Sequence, residues 1–160
     1  MTTKSGKKSR DAGEEHKDMS YDHIKECREA MEAGKRALQS LRNAKGCLDS
    51  ARNWGIWDMP GGGMLSSILK RKKINDAQGQ MNAAKRDLQV FARELGDVHM
   101  TGQLDIEIND FIGYADILWD NFLVDWMMQD RINQSRAQVD EVINRVELLI
   151  SRLQYESEVD

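Results

Sequence analysis

The chain has little of the material that builds β-sheets, disulfide frameworks or membrane spans. Its 160 residues include one proline, Pro60, and two cysteines, and aromatic residues make up only 6% of the sequence. Because turn-rich β proteins need more chain breakers, this composition favours helices. No charge-free apolar run reaches the roughly 18 residues that a transmembrane helix needs, so we expect no membrane-spanning segment.

The cysteine spacing and the charge balance narrow the class further. If Cys27 and Cys47 lie on one helix, they are roughly 30 Å apart and cannot bridge each other. Unpaired thiols are typical of a reducing compartment, so we expect a cytoplasmic location. The net charge of −4 does not suit a phosphate backbone, and we expect no nucleic-acid partner.

Residues 1–18 form a polar segment that begins with a basic stretch and has no apolar core. A secretory signal needs such a core, so this segment is predicted to be a disordered basic tail. The remainder, residues 19–156, is predicted to be a single helical-bundle domain, because its length suits one hydrophobic core.

A heptad pattern begins immediately after this tail and predicts a first helix over residues 20–53, capped by Ser20 or Asp22. Gly55 is a plausible stop for this helix. Along this helix, apolar residues recur at alternating intervals of three and four, and one lysine interrupts them. The predicted seam consists of Ile24, Cys27, Met31, Gly34, Leu38, Leu41, Lys45 and Leu48.

Pro60 and the three glycines after it cannot continue a stable helix, so they predict a turn. A second helix is predicted over residues 64–95, with Gly96 as its C-terminal stop. Its seam consists of Ile74, Ala77, Met81, Ala84, Leu88, Phe91 and Leu95.

Residues 97–109 are predicted to be a connector whose strand-like alternation is too short to found a sheet. A last helical region is predicted over residues 110–156. Its seam consists of Ile132, Ser135, Val139, Val142, Val146, Leu149 and Leu153.

The last two seams correspond at every position with a constant offset of 58 residues, which suggests an internal duplication of residues 54–95 and 116–153. Any two amphipathic helices can be aligned in this way. However, two motifs also match in the same order. Ile56-Trp57-Asp58 matches Leu118-Trp119-Asp120 at an offset of 62, and Lys73-Ile74-Asn75 matches Arg131-Ile132-Asn133 at the offset of 58. Three long heptad-patterned helices therefore predict an all-α, antiparallel bundle with approximate internal symmetry.

Most of the aromatic residues occupy the two repeat starts, and three interpretations of them stay open. They close one end of the core, form an interface with a partner, or insert into a membrane surface with help from Lys70-Arg71-Lys72-Lys73. Acidic residues within the second segment count against the membrane interpretation. The candidates for an interaction surface are Trp54, Trp57, Trp119, Phe122, Trp126 and Met127.

Motifs that carry chemistry are incomplete. The glycines after Pro60 precede a helix but lack the lysine and hydroxyl residue of a phosphate-binding loop. No Glu-x-x-His pair for a di-iron site occurs, and His23 is interpreted as part of a solvated face. Asp58 and Asp120 are candidates for helix caps or, as an alternative, for a polar site between the repeats. We therefore expect no cofactor, no metal and no catalytic activity.

The run from Trp54 to Asp58, the three glycines and the run from Lys73 to Gln78 together resemble a family of bacterial helical proteins without known activity. A second similar segment includes Asp110 to Asp116, Asp125-Trp126 and Arg131 to Asn133. The resemblance covers about residues 20–153. It implies a bacterial, helical protein and carries over no functional residue. Arg131, where a lysine is more typical, departs from the pattern.

These observations favour a helical scaffold or interaction protein, with a homo-oligomer or a helical protein as its partner. The first alternative is a peripheral membrane-binding protein that uses the tryptophan-rich segments. The second is an enzyme or small-molecule binder at the Asp58 and Asp120 turns.

Overall fold

In this computed structural model the described residues are 8–53, 64–101, 111, 113 and 129–159, and all of them are helical. They form three long helices, α1 (Lys8–Asn53), α2 (Met64–Thr101) and α3 (Gln129–Val159). α1 packs along both α2 and α3. The prediction of an all-α bundle of three long helices is confirmed.

Pairs of residues in contact show how the helices are aligned. Gly34 on α1 lies against Phe91 on α2, and Ser40, further along α1, donates a hydrogen bond to Asp87, which comes earlier on α2. The chain numbers therefore run in opposite directions along this contact.

The alignment of α1 with α3 follows the same rule. Gly34 lies against Ile150, whereas Asp49 meets Arg136. Since α1 runs opposite to both other helices, Thr101 and Gln129 lie at opposite ends of the bundle. α1 also extends beyond the level of Thr101 by about 16 residues, or roughly 24 Å.

The hydrophobic core follows the predicted seams of α2 and α3. On these two helices, every seam residue whose side chain is described is buried: Ala77, Met81, Ala84, Leu88, Phe91, Leu95, Val139, Val142, Val146, Leu149 and Leu153. The side chains of Ile74, Ile132 and Ser135 lie outside the described residues. Burial of one large aliphatic side chain stabilises the fold by roughly 1.5–3 kcal/mol, so these rows are the main source of stability.

α1 buries a broader face than its predicted seam. Four alanines that the sequence analysis did not assign to the core are almost fully buried: Ala30, Ala33, Ala37 and Ala44. A helix that packs against two neighbours needs a wider apolar face than a single seam provides. The small alanine side chains let both neighbours approach the α1 backbone closely.

Gly34 marks the closest of these approaches. A Cβ atom built at this position would lie 2.8 Å from Ile150 Cγ1 and 3.0 Å from Phe91 Cε2. Side chains from α2 and α3 therefore meet over the backbone of α1 at one level. The Phe91 ring also contacts Phe111 edge-on, with ring centroids 5.9 Å apart, and Phe111 is itself buried.

Ion pairs join α1 to α3 along one half of their contact. Arg42 donates a hydrogen bond to Glu147 at 2.8 Å, and Lys45 donates one to Asp140. The lysine that interrupts the predicted α1 seam therefore has an acidic partner on α3. It lies half-buried at the edge of the core, where its long aliphatic stem can pack while its ammonium group stays paired.

Two predicted helix ends are wrong. α1 begins at Lys8 rather than at Ser20. Residues 8–19 lack an apolar seam but are rich in helix formers, and extending an existing helix costs far less than starting one. α2 continues through Gly96 to Thr101, because Val98, three residues beyond Leu95, is fully buried and extends the seam.

Other predictions fall on residues outside those described. These are the Pro60 turn and its Gly55 stop, the connector beyond Thr101, and most of the region from 110 to 128. The predicted duplication of residues 54–95 and 116–153 depends on these segments and stays a prediction.

Replacing Gly34 by alanine should destabilise the protein, because the new methyl group would overlap with Ile150 and Phe91. Overpacking costs typically about 1–3 kcal/mol, which exceeds the roughly 1 kcal/mol that alanine gains over glycine in a helix. Gly46→Ala is the matched control, because nothing lies within 4 Å of a Cβ at that position. Urea unfolding should show Gly34→Ala less stable and Gly46→Ala more stable than the parent. Equal shifts for both variants would contradict the close approach.

Leu88→Asp should unfold the bundle or lower its free energy of unfolding by about 3–5 kcal/mol, because an unpaired carboxylate would enter the core. Leu88 is only 3% exposed. The neighbouring Gln89 is exposed, so Gln89→Asp should change the stability little. Thermal unfolding followed by circular dichroism measures both. Parental stability for Leu88→Asp would refute the seam of α2.

Candidate functional site

The residues that the sequence analysis singled out for interaction or polar chemistry lie outside the described residues. They are Trp54, Trp57, Asp58, Trp119, Asp120, Phe122, Trp126 and Met127. Within the basic run at residues 70–73, the side chain of Lys72 is described, and it is exposed. The described helices contain no segment with both the length and the apolarity needed to cross a bilayer.

Exposed apolar side chains collect at the end of the bundle where α2 and α3 finish. Among the described residues, five large hydrophobic side chains are exposed, and four of them lie at this end: Tyr21, Met100, Tyr155 and Val159. The contacts of Gly34 with Phe91 and Ile150 fix this placement, because counting along the helices from that level brings all four toward the same end. We call this region the apolar end.

Beneath the apolar end, α1 carries a buried thiol and imidazole. His23 Nε2 lies 3.7 Å from Cys27 Sγ, and the two side chains are only 5% and 0% exposed. The interpretation of His23 as part of a solvated face is therefore wrong. Its position one turn before Cys27 continues the buried face of α1, and this spacing is the signal that could have placed it in the core.

A carboxylate cluster lies beside this pair. Carboxylate oxygens of Glu26, Glu29 and Glu94 lie within 4.8 Å of one another. Oxygen ligands of this kind suit a hard divalent cation, but cations of the protein already contact the cluster. Lys25 Nζ lies 3.4 Å from Glu26 and 3.6 Å from Glu29, and Arg93 lies 3.1 Å from Glu94.

The electrostatics of the cluster follow from these contacts. The hydrogen bond of Lys25 to Glu26, together with the nearby charge of Glu29, raises the pKa of the lysine above its ordinary value. The cluster is therefore an ion-pair network at the surface, in which Glu26 and Glu94 are half-buried and Glu29 is exposed. Sequence reasoning did not find this cluster, because Glu94 joins Glu26 and Glu29 only through the α1–α2 register.

Cys47 lies half-buried toward the other end of α1. Burial raises the pKa of its thiol, and the negative charge of Asp76 on α2 raises it further. A thiol held protonated in this way is a weak nucleophile, because the thiolate is the reactive form. The environment of Cys47 is thus the opposite of the one that activates a catalytic cysteine.

Comparison of the chain with known protein families, with curated proteins and with solved structures finds no match. The resemblance of the Trp54 to Asp58 segment to a bacterial helical family stays a prediction.

The two cysteines should react very differently with a thiol reagent. Cys27 is fully buried and should be protected in the folded protein, whereas Cys47 should react slowly, at a rate that rises with pH beyond the ordinary thiol range of about 8.5. Asp76→Asn should accelerate the reaction of Cys47, because it removes a charge that opposes the thiolate. Absorbance of the released chromophore measures the rates.

The same pKa shift has a consequence for stability. Since the pKa of Cys47 is raised in the folded chain, the contribution of its protonated thiol to stability is complete at neutral pH and is lost as the pH rises through the folded pKa.

In the thiol-reagent experiment, Cys47→Ser is the control, and it should abolish the slow reaction. Reaction of Cys27 as fast as that of Cys47 under native conditions would contradict the burial of Cys27.

Proposed function

We propose that this protein is a helical scaffold or interaction protein without catalytic activity, which works by packing its helices against a second copy or another helical protein. The single observation that carries the proposal is the apolar end. Met100 is 85% exposed and Tyr155 is 66% exposed, so large apolar side chains stand at positions where water contact favours polar ones.

The energetics of exposed apolar side chains support this proposal. Single exposed apolar residues are ordinary on a protein surface, but grouped ones are typical of binding surfaces. Tyrosine and methionine are also enriched at interface cores, because they supply large contact area and adaptable packing. Tyr21, Met100 and Tyr155 provide this chemistry at one end of the bundle.

The charged residues around the apolar end are suited to the polar rim of a protein–protein interface. Lys25 is paired with both Glu26 and Glu29, and Arg93 is paired with Glu94. Ion pairs at a protein surface contribute little to stability. At the edge of an interface, however, charged groups select the partner and accelerate its approach.

A cytoplasmic location in a bacterium is part of the same proposal. Neither Cys27 nor Cys47 forms a disulfide within the part of the chain that the structure describes, which suits a reducing compartment. The family resemblance supports a bacterial source.

Sedimentation equilibrium of the full chain at micromolar concentrations tests the self-association arm. We expect a mass above the 18.3 kDa of one chain, which rises with concentration. If the chain stays monomeric, a partner purified from native lysate should bind it, and Met100→Glu should weaken that binding because it places a charge in the apolar end. A monomer that also binds no partner would overturn the proposal.

A further inference from the structure

α3 has a second apolar face on the side that points away from the core. Leu148 is 56% exposed, Tyr155 66% and Val159 64%. These positions are separated by seven and four residues, so at 3.6 residues per turn they fall within about 40° of one another around the helix axis. Val146, which is fully buried, lies about 160° away from Leu148 on the same scale.

The other two helices have no comparable outer face in their described parts. On α1, Tyr21 is exposed, and every other exposed residue whose side chain is described is charged, polar or glycine. On α2, Met100 is the single exposed large apolar residue among those described. The apolar stripe is therefore particular to α3, and its spacing is that of a helix that pairs with another helix.

The stripe is complementary to itself when two copies of α3 run in opposite directions. If Leu148 of one copy faces Val159 of the other, then Arg152 of the first faces Tyr155 of the second. Arg152 is exposed and lies within the stripe, and a guanidinium over a tyrosine ring is a favourable contact. A parallel pairing would instead place the two Arg152 charges against each other.

We propose that the outer face of α3, from Leu148 to Val159, pairs antiparallel with the same face of a second copy of this chain. The proposal rests on the proposed function and names the surface and the partner for its self-association arm. A two-fold axis relates the copies, so that each contact occurs twice.

The size of the stripe determines the strength of the contact. The segment from Leu148 to Val159 spans about 17 Å of helix, and it offers far less area than the roughly 800 Å² per partner of a standard stable interface. The dimer is therefore weak and depends on concentration, which suits a scaffold that assembles and disassembles.

Sedimentation equilibrium of Leu148→Glu tests the surface. The variant should weaken dimerisation by at least about tenfold, because each dimer receives two buried charges. Gln89→Glu is the control: it adds the same charge at an exposed position of α2 that lies outside both the stripe and the apolar end, and it should leave the dimer unchanged. Circular dichroism should show both variants as helical as the parent.

Disulfide trapping tests the antiparallel register, in a chain that carries Cys47→Ser to remove the partly accessible thiol. A mixture of Leu148→Cys chains and Val159→Cys chains should form a covalent dimer under mild oxidation. Val159→Cys chains alone should not, because antiparallel pairing separates their two thiols by about 11 residues of helix, or roughly 17 Å.

The outcomes separate this proposal from the proposed function. Self-association that Leu148→Glu does not weaken would overturn the α3 surface and leave the scaffold proposal standing. Efficient trapping of Val159→Cys chains alone would overturn the antiparallel pairing. A monomer at every concentration that still binds another protein would overturn self-pairing while the scaffold function survives.

Discussion

The bundle depends on α1 being covered on two sides at once. α2 and α3 each bury their apolar seam against it, and the three helices meet most closely at Gly34, where Phe91 and Ile150 converge. Neither outer helix could cover the α1 core face alone, because that face includes alanines as well as the predicted seam. The absence of a side chain at Gly34 thus lets both neighbours approach α1 closely at this level.

Polar groups then fix which neighbour lies on which side of α1. Arg42 and Lys45 meet acidic partners on α3, whereas Asp49 meets a basic one, Arg136. Ion pairs at a protein surface add little free energy. A sliding of α3 by one turn would nevertheless separate several opposite charges together, so the pattern specifies the register while the apolar rows supply the stability.

Much of the fold could be predicted from the sequence, because seam residues such as Leu88 and Val146 repeat at helical spacing. The predictions of two helix ends were wrong, and the sequence did not show that α1 packs against two helices at once. Lys8 begins α1 because helix propagation needs no seam, and Gly96 does not stop α2 because Val98 is buried beyond it. Ala30 was missed because a second neighbour widens the buried face.

The candidate surfaces were harder to predict, since they depend on how the helices are placed together. Glu94 joins Glu26 only through the α1–α2 register. In the sequence alone, Leu148 and Tyr155 are ordinary helix residues. Their exposure becomes clear only when the structure shows that the opposite face of α3 packs in the core. The aromatic residues that sequence reasoning favoured lie outside the described residues, so their role stays a prediction.

The placement of α3 has a consequence for the order in which the chain folds. The α1–α2 hydrogen bond between Ser40 and Asp87 closes a loop of 47 residues, whereas the α1–α3 bond between Arg42 and Glu147 closes one of 105. Each doubling of a loop costs about 0.6 kcal/mol more in chain entropy. The hairpin of α1 and α2 is therefore the favoured nucleus, and α3 docks onto a surface that already exists. A nascent chain released before residue 129 would lack the cover that α3 gives to the α1 core face, and it would be prone to aggregation until synthesis is complete.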